Sequence, residues 1–203
     1  KHREFNIIYI DKDGQELFEG RRFFEGSQSM NNIIFAKEGK ESKQWLILNT
    51  KDGTIKEMPI SISKLFYSIK YKTNGYPIGK FHSNYNEVIL DIEGNIVFDP
   101  TEVTNGRNVS LIKITDVFIV YKTEDSYYFI NKEFKLEKLL DNQFDVKGIS
   151  NKYIIINNEE DFDHVFNLDF SKAKMPLKEN EVFMCTDLTD EFLVGVCTDT
   201  ITK

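Results

Sequence analysis

A polar residue that closes an apolar run just ahead of a tight turn recurs along this chain, and its spacing narrows the fold more than any other feature. It is Asp11 in "YIDKDG", Asn49 in "ILNTKDG", Asp91 in "ILDIEG", Asn131 in "FINKEF" and Asp169 in "NLDFSK", at separations of 38, 42, 40 and 38 residues. Each instance reads as a β-hairpin. In "VILDIEGNIVF" two apolar runs flank a turn whose Gly94 adopts positive φ without steric penalty. Asp13-Gly14 and Asp52-Gly53 give the same signal, because Asp-Gly suits turns that match strand twist.

A second marker, an Asn or Asp two positions before an apolar residue that opens a strand, recurs independently. It occurs at Asn31, Asn74, Asp116, Asn151 and Asp190, with separations of 43, 42, 35 and 39. Each repeat of about 40 residues thus holds about four short strands, as in "FDVKGIS", "KYIIINN", "DHVFNLD" and "KAKMPL". Four strands per repeat, stacked in series, is the pattern of a propeller blade. The expected fold is all-β: a five-bladed β-propeller of four-stranded blades in a single domain over residues 1–203.

Closure follows from the ends. Phe5 to Ile10 reads as a third strand followed by a fourth, whereas "EVFMCTDL" and "EFLVGVC" read as a first and second. Joined, they complete one blade and leave no unpaired sheet edge. No segment has a convincing helical period; Leu136, Leu139 and Leu140 fit one or two helical turns or a bent fourth strand.

The hairpins "IIYIDKDGQELF" and "VILDIEGNIVFDP" resemble those of WG-type bacterial β-repeat proteins, in which a strand ends in Asp before a Lys/Glu-x-Gly turn and the next runs toward Pro, here Pro100. The naming Trp-Gly pair is absent, since Trp45 precedes Leu46. The resemblance implies a binding or interaction module and no catalytic residues.

Charge and composition restrict partners. A net charge of -7 removes the electrostatic driver for gripping phosphate backbones, so nucleic acid is not an expected partner. No apolar run reaches the roughly 18 to 20 residues of a membrane helix, so no membrane insertion is expected. Cys185 and Cys197 are the only cysteines and lie on expected neighbouring strands, as free thiols or a disulfide. The chain begins at Lys1 and reads as a processed product or a piece of something longer, with a secreted or cell-envelope setting favoured over the cytoplasm.

Chemistry is sparse. "DKDG" resembles the opening of a calcium loop, but the later acidic positions do not follow at the required spacing. The repeated Asp and Asn side chains are expected to cap their own turns. "NNEEDFDH" reads as a solvated acidic loop, and His82 and His164 sit in no nucleophile or metal motif. No metal or cofactor is expected.

Surface recognition is left. The third-to-fourth-strand turns are short and alike. The connections expected on the opposite face vary: "FEGRRFFEG", "AKEGKESKQW", "GKFHSNYNE", "DPTEVTNGRN" and "YKTEDSYY". Variable loops on a repeated scaffold carry specificity. Their Arg21, Arg22, Trp45, His82, Tyr85, Arg107 and Tyr127 are the candidate contacts, because aromatic and Arg side chains dominate binding hot spots. The expected function is non-enzymatic binding of a protein or a glycan by a monomer. The alternative is a glycoside-acting hydrolase with paired carboxylates at a channel mouth.

Overall fold

Strand-forming segments alternate with the turn residues so closely that the backbone has little choice but to fold back on itself. In the computed structural model, residues 6–71, 76–106, 108–141, 144–157, 163–179, 181–189 and 192–199 are described. They form antiparallel sheets in which every strand pairs with its neighbour in sequence. The chain divides into two compact units, Lys1–Ser110 and Leu111–Lys203.

The first unit holds two four-stranded sheets. One runs β1 (Glu25–Gly26), β2 (Ile33–Lys37), β3 (Leu46–Asn49) and β4 (Ile55–Glu57). The other runs β5 (Phe66–Tyr71), β6 (Pro77–Phe81), β7 (Glu87–Leu90) and β8 (Ile96–Phe98). Single helical turns α1 (Ile60–Ser63) and α2 (Thr101–Thr104) follow β4 and β8. Ahead of them, Leu17 donates to the carbonyl of Tyr9 and Ile7 bridges Phe23, so the N-terminal segment forms its own hairpin. Its Tyr9 and Leu17 pack on Phe18, Phe23, Ile34 and Leu48. Phe35, Trp45, Ile47, Met58, Phe66, Val88 and Leu90 fill a second cluster.

The second unit begins within β9 (Ser110–Ile114), which joins β10 (Phe118–Lys122), β11 (Ser126–Asn131) and β12 (Leu136–Asp141) in a four-stranded sheet. β12 decides the Leu136–Leu140 segment in favour of a strand, with a register shift opposite Phe129 and Ile130 supplying the bend. A three-stranded sheet follows: β13 (Asp145–Ile149), β14 (Tyr153–Asn157) and β15 (Asp163–Asn167). The expected fourth strand, "KAKMPL", is reduced to a bridge from Lys172 to Phe166 and a bond from the Ala173 amide to Val165. Pro176, which has no N–H, fits that early end. β16 (Glu181–Leu188) and β17 (Leu193–Asp199) form a two-stranded sheet.

The turns explain the repeat at the level of atoms. Asp91 Oδ1 accepts the amides of Glu93 and Asn95 at 2.8 Å, and the Gly94 amide returns to the Asp91 carbonyl. Asp11 and Asn131 do the same for their own turns. Asn49 caps Lys51 in a turn longer by one residue. In every case the residue before the returning strand has positive φ: Gly14, Gly53, Gly94, Phe134 and Phe170. Four of them are three-residue hairpin connections that end in a left-handed residue, and the Asn49 turn is a four-residue connection that ends the same way at Gly53. The fifth member is therefore anchored on Asn167, which exchanges backbone bonds with Ser171 and Phe170, and not on Asp169. Asp169 instead caps Ser171 from within the turn.

The second marker has a different origin from the one its spacing suggests. Asp116 and Asn151 do lie in first-to-second-strand turns, yet the capping oxygen belongs to the preceding residue. Thr115 Oγ1 accepts the Val117 and Phe118 amides, and Ser150 Oγ those of Lys152 and Tyr153. Thr189 treats Phe192 alike. Asn31 is the exception: it and Asn32 both have positive φ in a two-residue hairpin. Asn74 and Asp190 lie outside the described residues.

Cys185 and Cys197 are free. Their partners across the β16–β17 pair are Gly195 and Phe183, so the two thiols are out of register.

Candidate binding surface

Hydrogen bonds in the first unit draw the two kinds of long connection together. Arg21, ahead of β1, pairs with Glu38 after β2 at 3.2 Å. Ser63 in α1 donates through Oγ to the Lys43 carbonyl and accepts the Trp45 amide, which ties the β4–β5 connection to the β2–β3 loop. The His82 amide bonds the Leu65 carbonyl. Asn86, fully buried, accepts the Val109 amide through Oδ1 at 3.0 Å and so links the β6–β7 loop to the segment after α2. Second-to-third-strand loops and sheet-to-sheet connections thus sit side by side.

On these connections stands an aromatic and cationic cluster. His82 and Tyr85 belong to the β6–β7 loop, and Tyr67 projects from β5 beside them. The Tyr67 ring lies edge-on to His82 at 5.7 Å and to Tyr85 at 6.2 Å. The Lys80 amine stands 5.5 Å from the centre of the Tyr85 ring. Tyr67 and Tyr85 are 55% and 59% exposed, which is unusual for large rings that could have been buried. Tyr85 also holds positive φ (58°), a conformation a bulky residue adopts only where its surroundings impose it. Leu65 (42% exposed) extends the apolar area.

A charged pair neighbours His82. Lys37 is buried, with its amine 4.5 Å above the Trp45 ring and 3.9 Å from the Glu25 carboxylate. Burial pushes the Glu25 carboxyl above its usual range, against the opposing pull of Lys37, Lys70 and His82. Burial likewise pushes the Lys37 amine down, with Glu25 opposing.

The expected contact residues divide. His82 and Tyr85 come together in the exposed cluster. Arg21 and Arg22 are half-exposed, but each is held: Arg21 by Glu38, Arg22 by both oxygens of Glu16 and by the Gly20 carbonyl. Trp45 is fully buried and Tyr127 is 4% exposed. Both rings are core: Trp45 immediately precedes β3 and packs in one cluster with Ile47, and Tyr127 is the second residue of β11 and packs with Phe129; Lys37 and Lys122 cover them. Neither side chain faces solvent as a contact would need to. Arg107 lies outside the described residues. Tyr67 and Lys80 were missed by sequence reasoning. Strand alternation offered a signal for Lys80, which precedes His82 by two positions, but a register shift between Phe66 and Ser68 obscured it for Tyr67.

The acidic stretch is also reassigned. Asp163 is not a solvated loop residue but part of β15, its side chain 2% exposed and 3.3 Å from the Lys147 amine. It accepts from Asn157 Nδ2 and from the Cys185 amide. Burial, followed by the Asp163 charge, pushes the Cys185 thiol up. Glu159, Glu160 and Asp161 lie outside the described residues. Among the described residues, no helix is long and apolar enough to cross a membrane.

No protein-family model and no curated protein matches the chain. Among solved structures it is similar to Kluyvelomyces marxianus Hsv2, at 15% identity and a TM-score of 0.39, over 71% of this chain and 47% of that one. A form of KlHsv2 with loop 6CD replaced by a Gly-Ser linker gives 15% and 0.40, over 78% and 58%. PorZ, a surface component of the type-IX secretion system of Porphyromonas gingivalis, gives 12% and 0.43, over 91% and 28%. The chain spans less than two thirds of the length of each of these structures.

Proposed function

We propose that this chain is a non-enzymatic binding module built as a single five-bladed β-propeller, monomeric, and that it recognises a protein or a glycan through its long connections. The N-terminal hairpin completes the blade begun by β16 and β17. The observation that carries the functional reading is the exposed Tyr67–His82–Tyr85 cluster with Lys80 over the Tyr85 ring. Two rigid aromatic faces with few rotatable bonds, one held on a strained backbone, offer contact area at low entropic cost. A binding role also suits the carboxylates of Asp11 and Asp91, which are occupied by the amides of their own turns.

The test pairs two double variants. Tyr67→Ala with Tyr85→Asn removes both rings and leaves a residue that accepts positive φ at position 85. Lys12→Glu with Lys51→Glu alters the tight turns instead. Against a partner recovered by pull-down or on a glycan array, at matched near-physiological salt, the aromatic pair is expected to weaken binding at least tenfold, about 1.4 kcal/mol or more. The turn pair is expected to leave it within twofold. The reverse outcome would move the working surface to the turns.

A further inference from the structure

A cavity of about 320 Å³ lies in the second unit between the sheets β9–β12 and β13–β15, lined by Lys138, Leu140, Phe144, Ile156, His164, Phe166 and Phe170. Strand register sets its walls. His164 pairs with Ile156 and stands two residues from Phe166, so alternation puts these three side chains on one face of their sheet. Lys138 and Leu140 share a face of β12 by the same rule.

Three features distinguish this cavity from a packing gap. The His164 Nε2 atom is buried and has no hydrogen-bond partner among the described residues, a cost that native interiors rarely leave unmet. The Lys138 amine stands 5.7 Å from the centre of the Phe170 ring, which places a cation at an otherwise apolar site. Phe170, at the left-handed position of its turn (φ 63°), packs edge-on against Phe129 at 4.9 Å, so a rigid ring is fixed in the wall.

We propose that this cavity binds a small aromatic carboxylate, its ring among Phe166, Phe170 and Ile156 and its carboxylate met by Lys138 and the Nε2–H of His164. The volume is about twice the roughly 150 Å³ apolar cavity that admits benzene, room for one ring and a short acidic arm. Both polar groups are donors to an anion, and the apolar lining removes competing water. The site is independent of the exposed tyrosine cluster of the first unit.

The experiment titrates the whole chain with 3-phenylpropionate and, separately, with its neutral amide, following the methyl resonances of Leu140 and Ile156. The expected result is saturable shifts of both methyls at concentrations up to about 10 mM, above the affinity range of so small a ligand. The acid binds at least fivefold more tightly than the amide. Lys138→Met, a change at an exposed residue, is expected to abolish that preference while ring binding persists. His164→Phe, which removes the orphan nitrogen and part of the volume, is expected to abolish the shifts. Absence of saturable shifts, equal binding of acid and amide by the unaltered chain, or acid preference retained in Lys138→Met would each overturn the proposal.

Discussion

At Gly94 the backbone and its neighbours together specify the residue. Its φ is 82°, and a Cβ there would lie 2.8 Å from the Met58 methyl. The left-handed penalty alone is about 1 to 2 kcal/mol, and displacing a buried Met58 adds packing strain. Gly94→Val is therefore expected to lower unfolding stability by about 2 to 3 kcal/mol in urea denaturation, with binding by the folded fraction unchanged; a selective loss of binding at unchanged stability would make the turn a site. The equivalent residues Phe134 and Phe170 show why a Gly motif located only part of the repeat. Phe170 uses the same left-handed position to send a ring against Phe118 and Phe129. Turn glycines mark three of these turns in the sequence, at Gly14, Gly53 and Gly94; at Phe170 the glycine gives way to an aromatic contact that only tertiary structure reveals. The burial of Trp45 and Tyr127 was hidden in the sequence for a related reason. Ring chemistry suits hot spots and cores alike, and strand alternation at a loop boundary is too short to choose between them.

Among elements, one side chain touches β13, β14, β15 and β16 beside the apolar cluster of Ile155, Val165 and Phe183. Asp163 meets Lys147, Asn157 and the Cys185 amide, so it spans four strands from a nearly solvent-free position. Removing it leaves the part-buried Cys185 amide unmet and Lys147 without its carboxylate. Lys147 is 46% exposed and recovers part of its loss from water. Asp163→Ala is accordingly expected to cost about 2 to 3 kcal/mol, read as a lowered far-UV circular dichroism midpoint; a shift no larger than that of an exposed acid such as Glu133→Ala would contradict the assignment. The strands themselves were largely legible, because apolar runs of four to six residues between turn signals leave little else to form. Asp163 was not, since its burial depends on β16 lying across β15, a contact that no local pattern around "NNEEDFDH" records. The expected strand after Ser171 is rudimentary: "KAKMPL" alternates suitably, but among the described residues it is held by a single bridge, to Phe166.

For the molecule as a whole, the repeat accounts for five successive sheets among the described residues, three of them four-stranded. The short members are the informative ones. A three-stranded sheet is followed by a two-stranded one, and the N-terminal segment supplies a hairpin of its own. A two-stranded ribbon is marginal alone in water, and β17 carries exposed Val194 and Val196. Closure of the ring, in which the N-terminal strand would add to the free edge of β17, is the central claim of the proposed architecture. Cys197, free and exposed on β17, provides the direct test. In a Cys185→Ser background, a single cysteine is introduced in turn at Asn6, Ile8 and Ile10, and each variant is oxidised mildly and run without reductant. A closed ring predicts an intrachain disulfide with Cys197 in at least one variant, seen as a faster-migrating monomer, because paired strands bring Cβ atoms to roughly 4.5 to 5.5 Å. Failure of all three to form it, with each variant folded, would contradict closure and leave the chain an open array of sheets.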